Sequence, residues 1–294
     1  MKKILVPTDF STCADNAIDF AVQLAKILPV EILLLNAFEL SGDIYTDYMG
    51  VNKEFNQSQL QAVNNKLAQL QNSIKASEGI IVDTCVFTGT VKESIAEVTI
   101  KKNIDLVVMG TAGANGLKEK LWGSKTAGII GKSPVPVIAV PLAYKWKRPQ
   151  KILLATNHFE KDPALLDIVF ELADFFQAQV HVTVFTNDVN DEAITFMEHA
   201  RKIPAYEAML KAHYKNQTII VAHLFGHHFE EALQEYIRQH EIDIVTLLTH
   251  KISFTDRIFH PSITKRMSYH TKIPLLAIPI KIIEITEQYI ARDI

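Results

Sequence analysis

The chain has 294 residues, 48% of them apolar, enough for two domains with cores of ordinary size. Its formal charge of −3 sets up no global field toward nucleic acid or anionic lipid, and no apolar run has the length of a transmembrane helix. The two cysteines, Cys13 and Cys85, show neither metal-type spacing nor a disulfide framework, and the first residues lack the apolar stretch of a signal peptide, so a cytoplasmic protein is expected.

Lys3-Ile4-Leu5-Val6 reads as a short buried parallel strand, and Pro7-Thr8-Asp9-Phe10-Ser11 as a turn. Ser11 suits the N-cap of a helix whose buried face is Ala14, Ile18, Ala21, Val22 and Ala25. A second strand is expected at 32–35, an irregular polar stretch at 40–56, and a polar amphipathic helix at 57–77 carrying Leu60, Val63, Leu67 and Leu70. A third strand spans 80–86; Gly89 follows, then a helix about 95–102, a fourth strand at 106–109, and a fifth at 136–141. Strands alternating with helices predict an α/β fold, a parallel sheet with helices on both faces.

The pattern then restarts after the basic stretch Tyr144-Lys145-Trp146-Lys147-Arg148-Pro149-Gln150. Lys151-Ile152-Leu153-Leu154-Ala155-Thr156-Asn157 echoes Lys3-Ile4-Leu5-Val6-Pro7-Thr8-Asp9. Ile242-Asp243-Ile244-Val245 echoes Ile104-Asp105-Leu106-Val107, and Ile273-Pro274-Leu275-Leu276-Ala277-Ile278-Pro279 echoes Val135-Pro136-Val137-Ile138-Ala139-Val140-Pro141. The expectation is an internal duplication: a first domain at 1–143, a linker at 144–150, a second domain at 151–281 and a tail at 282–294.

Between the fourth and fifth strands of the first copy lies a glycine-rich loop, with Gly110, Gly113, Gly116 and Gly123, ending in Ser124 at a helix start. Strand, glycine loop and helix start is an arrangement in which bare N–H groups meet an anion. The dinucleotide fingerprint is absent, and Gly131-Lys132-Ser133 fails as a P-loop because Thr occupies 126 and Pro134 follows. What stands is G-x2-G-x9-G-[ST], carried by Gly110, Gly113, Gly123 and Ser124. That pattern, in this place, resembles the ATP-binding type of the universal stress protein family, and the order of motifs resembles a tandem member over nearly the whole chain.

The resemblance implies two doubly wound domains, each a five-stranded parallel sheet of the adenine nucleotide alpha hydrolase-like kind, packed as an intramolecular pseudo-dimer through their fifth strands. It implies ATP, with Mg²⁺, in the first copy. Asp9 would bind the adenosine end, Pro7 and Thr8 would shape the adenine slot, and Ala37 and Phe38 would form its wall. Gly89 would let the backbone approach the ribose, while Gly110, Gly113, Gly123, Ser124 and Lys125 would surround the phosphates. These positions follow carboxyl ends of strands, where open parallel sheets bind ligands. Taken singly, Asp9 reads as a turn or capping aspartate, and Pro7 and Gly89 as turn punctuation.

In the second copy Leu248, Lys251 and Pro261 replace Gly110, Gly113 and Gly123, while Asn157 replaces Asp9 and His227 is expected in place of Gly89; Ser262 keeps the place of Ser124. That copy is expected to be a structural pseudo-subunit. All 11 histidines lie between 158 and 270. His158, His227, His228 and His250 fall on positions that line the pocket in the first copy, which leaves metal or another small ligand as an alternative to simple drift. No general base or nucleophile is assembled near the glycine loop, so a regulator with at most slow ATP hydrolysis is expected rather than an enzyme. The rival is a nucleotide-dependent transferase or ATP pyrophosphatase, which would carry a Ser-Gly-Gly loop after the first strand. Expected partners are a nucleotide and a protein, with neither nucleic acid nor membrane, and a homodimer remains open. Trp122 reads as a loop anchor, Lys118 and Lys120 as a solvated face, and the cysteines as buried or inert.

Overall fold

A computed structural model describes residues 1–38, 51–111, 126, 128–130, 132–187, 193–249 and 271–280. The first copy runs β1 (Lys3–Pro7), α1 (Thr12–Ala25), β2 (Glu31–Phe38), α2 (Val51–Glu78), β3 (Val82–Thr88), α3 (Val91–Lys101), β4 (Leu106–Thr111) and β5 (Val137–Pro141). The second runs β6 (Lys151–Thr156), α4 (Pro163–Phe176), β7 (Gln179–Asn187), α5 (Ala193–His213), β8 (Ile219–Gly226), α6 (Phe229–His240), β9 (Ile244–Thr249) and β10 (Leu275–Pro279). Several expected boundaries move: the second strand, expected at 32–35, runs Glu31–Phe38, and the third, expected at 80–86, runs Val82–Thr88. The polar stretch 40–56 already carries helix from Val51, and the third helix begins at Val91, where Thr90 and Glu93 close a capping box.

All the strands join one 10-stranded sheet in the order β3-β2-β1-β4-β5-β10-β9-β6-β7-β8. Every pairing within a copy is parallel, and the copies meet where β5 and β10 pair antiparallel, Ile138 opposite Leu276. The tandem therefore forms the expected pseudo-dimer through its two fifth strands.

Alternation along the strands sorts side chains to two faces. Ile4, Val6, Ile32 and Leu34 pack in one cluster with Phe20 of α1 and Leu67 and Ile74 of α2. The same cluster continues through Leu165 and Phe170 of α4 and Leu210 of α5. Leu5, Leu33 and Leu35 face the other way, toward Ile95 of α3, and that cluster runs on to Leu233 and Tyr236 of α6. The long polar helix α2 is thus a sheet cover. Trp146, in the basic stretch between the copies, sits edge-on to Phe20 at 5.1 Å and 6.5 Å from Phe176, so its ring fills the seam from both sides.

Candidate functional site

The chain leaves β1 for β2 and β3 on one side, then crosses back to place β4 and β5 on the other. Loops diverge at that reversal and leave a crevice past the carboxyl ends of the strands. A cavity of about 290 Å³ lies there, near the small end of the range for ligand sites. Pro7, Thr8 and Asp9 line it from β1, Leu35 and Ala37 from β2, and Met109 and Gly110 from β4. Cys13 and Ala14 of α1, Val91 of α3 and Thr126 complete the described wall.

Local chemistry holds the wall in place. The Thr8 N–H donates to the Leu35 carbonyl at 2.8 Å, and Asn36 Nδ2 donates to the Thr8 carbonyl at 2.8 Å. Phe10 takes φ +64°, a left-handed turn held by its N–H on Thr8 Oγ1 at 3.0 Å. The Ser11 N–H donates to Asp9 Oδ1 at 3.1 Å, and Ser11 in turn caps α1 by accepting from the Ala14 N–H at 3.3 Å. Asp9 is therefore the turn aspartate of its local reading and a wall residue at once. Partial desolvation, then the Asp9 charge, raise the Asp15 carboxyl on the neighbouring turn of α1 above its ordinary range.

Gly110 has a reason that spacing did not reveal. A Cβ there would stand 1.9 Å from the Cys13 carbonyl oxygen, so the first turn of α1 lies directly on bare backbone. Thr126 Oγ1 donates to the Gly110 carbonyl at 2.9 Å and ties the helix after the glycine loop to the same point. Gly89 takes φ +142°, and its N–H donates to the Phe38 carbonyl at 2.9 Å. So Pro7, Thr8, Asp9, Ala37 and Gly110 share the cavity, while Phe38 and Gly89 bond each other and are not among its described lining residues. Gly113, Gly123, Ser124 and Lys125 lie outside the described residues, as do Trp122, Lys118 and Lys120. Sequence reasoning passed over Val91, Met109 and Thr126. Cys13, expected to be buried or inert, is half-buried and lines the cavity wall, a place its sequence position did not indicate. Cys85 is half-buried too, and burial pushes its thiol up, against a weaker opposing pull from Lys102.

The second copy has the same strands and a different rim. Register puts Leu248 in the place of Gly110, and its side chain is 3% exposed within the core. It fits because α4 starts farther from its strand, Thr156 to Pro163, than α1 does, Pro7 to Thr12. Glu160 staples that longer connection. Its Oε1 accepts from the Lys161 and Asp162 N–H groups at 2.8 Å each, its Oε2 lies 2.9 Å from His158 Nε2, and Tyr206 donates to its carbonyl at 2.6 Å. The His158 hydrogen bond, foremost, brings the Glu160 carboxyl down to about 2. One expected equivalence is corrected: Asn187 pairs with Gly226, so Gly226, at φ +156°, stands where Gly89 stands, and His227 follows it.

Of the four metal candidates, His158, His227 and His228 lie among the described residues. His158 is committed to Asn157 and Glu160, His228 occupies the N-cap position of α6 without a capping bond from its side chain, and His250 lies outside the described residues. Among the described residues no three His, Cys, Asp or Glu side chains gather as a metal site. The organised histidines lie elsewhere. Buried His181 bonds Tyr236 at 2.9 Å and Gln179 at 3.0 Å, and Thr186 Oγ1 bridges His199 and His223 at 2.8 Å each. Strand parity of His181 and His223 would have pointed to both groups.

Comparison with known proteins identifies the family. A sequence profile of the universal stress protein family matches residues 1–141 and again 149–279. A universal stress protein of Methanocaldococcus jannaschii is 31% identical over 153 residues, covering 47% of this chain and 94% of its own. One from Synechocystis is 30% identical over 140 residues, covering 48% of this chain and 85% of its own. A solved universal stress protein from Archaeoglobus fulgidus covers 94% of this chain and 98% of its own with a TM-score of 0.72 at 16% identity, a likeness of fold. No described helix is long and apolar enough to cross a membrane.

Proposed function

The chain belongs to the universal stress protein family, two copies in tandem, and from that premise we propose that it is a nucleotide-binding regulatory protein of the stress response. Its first copy holds ATP, and its second serves as a built-in structural partner. The observation that carries this reading is the cavity at the strand reversal of the first copy, matched in the second by a buried leucine.

The wall suits a nucleoside. Leu35, Ala37, Val91 and Met109 offer apolar surface to a base, and Asp9 offers a carboxylate oxygen to a ribose hydroxyl. The phosphates would run toward Gly113, Gly123, Ser124 and Lys125, whose N–H groups, hydroxyl and ammonium are anion donors. Magnesium would arrive on the phosphates. Binding, rather than turnover, is the output. The first copy contains no histidine to act as base, and slow hydrolysis is the most that aligned donors would support. The site of action is the cytoplasm, and the reader of the bound state is a partner protein.

Calorimetric titration of the whole chain with ATP and magnesium tests this. Saturable heat is expected, lost when Ala37→Trp fills the cavity while far-UV circular dichroism stays unchanged. Gly113→Val and Gly123→Val should each remove the same heat. Equal binding in all three variants, or no binding by the wild type, overturns the assignment.

A further inference from the structure

The sheet has two ends, and they are built differently. At one end β3 carries the exposed carboxylate of Asp83 along its short run. At the other, β8 reads Ile219-Ile220-Val221-Ala222-His223-Leu224-Phe225-Gly226, with no Asp, Glu, Lys or Arg. An end strand presents a row of unpaired main-chain N–H and C=O groups, and proteins that stay single protect it with charge, proline or a bulge. Among the described residues β8 has none of these and pairs only with β7. Its side chains are open as well: Phe225 is 58% exposed and Ile220 38%. Ile220 lies on the α6 face; on the α5 face Phe196, in the first turn of α5, is 38% exposed and stands edge-on to Phe225 at 5.3 Å, extending the apolar surface from strand to helix. Contiguous apolar strips of this kind mark contact surfaces.

We propose that β8 is a self-association edge, where a second copy of this chain adds its own β8 antiparallel and continues the sheet. The occupant follows from the chemistry of the edge. Unpaired main-chain groups in a row are satisfied by another strand, and the antiparallel arrangement lets one strand satisfy its twin by two-fold symmetry. The molecule already joins copies of this fold in that manner: β5 (Val-Ile-Ala-Val-Pro) and β10 (Leu-Leu-Ala-Ile-Pro) are equally free of charge and meet antiparallel at the seam. A two-fold axis normal to the sheet keeps like faces together, so residues directly opposite share a face. Centred on Ala222 or His223, the pairing sets Phe225 of one copy against Ile219 or Val221 of the other. It also brings the Phe196 ends of the two α5 helices to one side.

Sedimentation equilibrium of the full chain tests the surface. The wild type is expected at twice its 33.1 kDa, and Ile220→Lys and Phe225→Lys are each expected at 33.1 kDa with unchanged far-UV circular dichroism. Under mild oxidation either Ala222→Cys or His223→Cys, whichever lies at the axis, should form a covalent dimer, because directly opposed strand residues are within disulfide reach. Asp83→Cys, on the other edge, should not. A wild type at single-chain mass, a dimer that survives both lysine substitutions, no cross-link at either β8 position, or cross-linking through Asp83→Cys alone overturns the proposal.

Discussion

One residue before the fourth strand of each copy, an aspartate gathers the start of the first. Asp105 Oδ2 accepts from the Lys2 and Lys3 N–H groups at 2.6 and 2.9 Å, and Asp243 Oδ2 from those of Gln150 and Lys151 at 2.8 and 3.0 Å. The amino-terminal rim was kept in both copies. At the carboxyl rim they part: Gly110 against buried Leu248, Asp9 against Asn157, and a cavity against a connection stapled by Glu160. A duplicated chain thus acts as its own control, because what the fold needs recurs and what one copy does alone need not. By that test Gly89, repeated as Gly226 with the same positive φ, serves the backbone, whereas Gly110 belongs to what sets the first copy apart.

The largest way to break the contrast is at Gly110. Gly110→Ala forces a Cβ into the Cys13 carbonyl and should cost about 3 kcal/mol, read as a lower urea midpoint. The mirror change, Leu248→Ala, should cost a comparable ~2–5 kcal/mol by leaving a void.

Next is acid. Burial, and then the charges of His240 and Lys151, hold the His181 imidazole down to about 4, and the first copy has no histidine. A folded-state pKa below the unfolded 6.5 means the folded protein binds fewer protons. This contribution is complete above pH ~6.5 and fades by up to about 3 kcal/mol as pH falls through the folded value. Hydrogen exchange should show β7 and α6 losing protection on acidification before β1 and β4 do, and His181→Phe should remove the difference. Glu160 loosens only lower, as pH falls from ~4.5 toward 2, because its carboxyl is held down rather than up.

The smallest effect sharpens the comparison. Asp9→Asn keeps the oxygen that accepts the Ser11 N–H and removes only the charge, so melting should hold while ATP affinity falls about tenfold. Asn157→Asp should confer no ATP binding on the second copy, because Leu248 still fills the space.

Much of this was legible in the chain. The paired motifs around Lys3 and Lys151, and around Asp105 and Asp243, announced the duplication, and apolar runs announced the strands. Local signals failed where distant backbone decides. The close approach of Cys13 to Gly110 joins α1 to β4, and no window along the sequence contains both. The place of Cys13 in the cavity wall was hidden because it depends on where the helix start lands. The one-residue slip that hid Gly226 came from carrying a single alignment offset through a loop whose length had changed. Helix α2 began early because Val51–Glu78 is weakly patterned, with Leu67 and Ile74 its only deeply buried side chains among those described.

The antiparallel seam has a geometric outcome. Strand polarity flips once, at β5 and β10, so the carboxyl rims of the two copies face opposite directions. A client seated over the front cavity therefore leaves the stapled rim of the second copy facing away from it, open to a different neighbour.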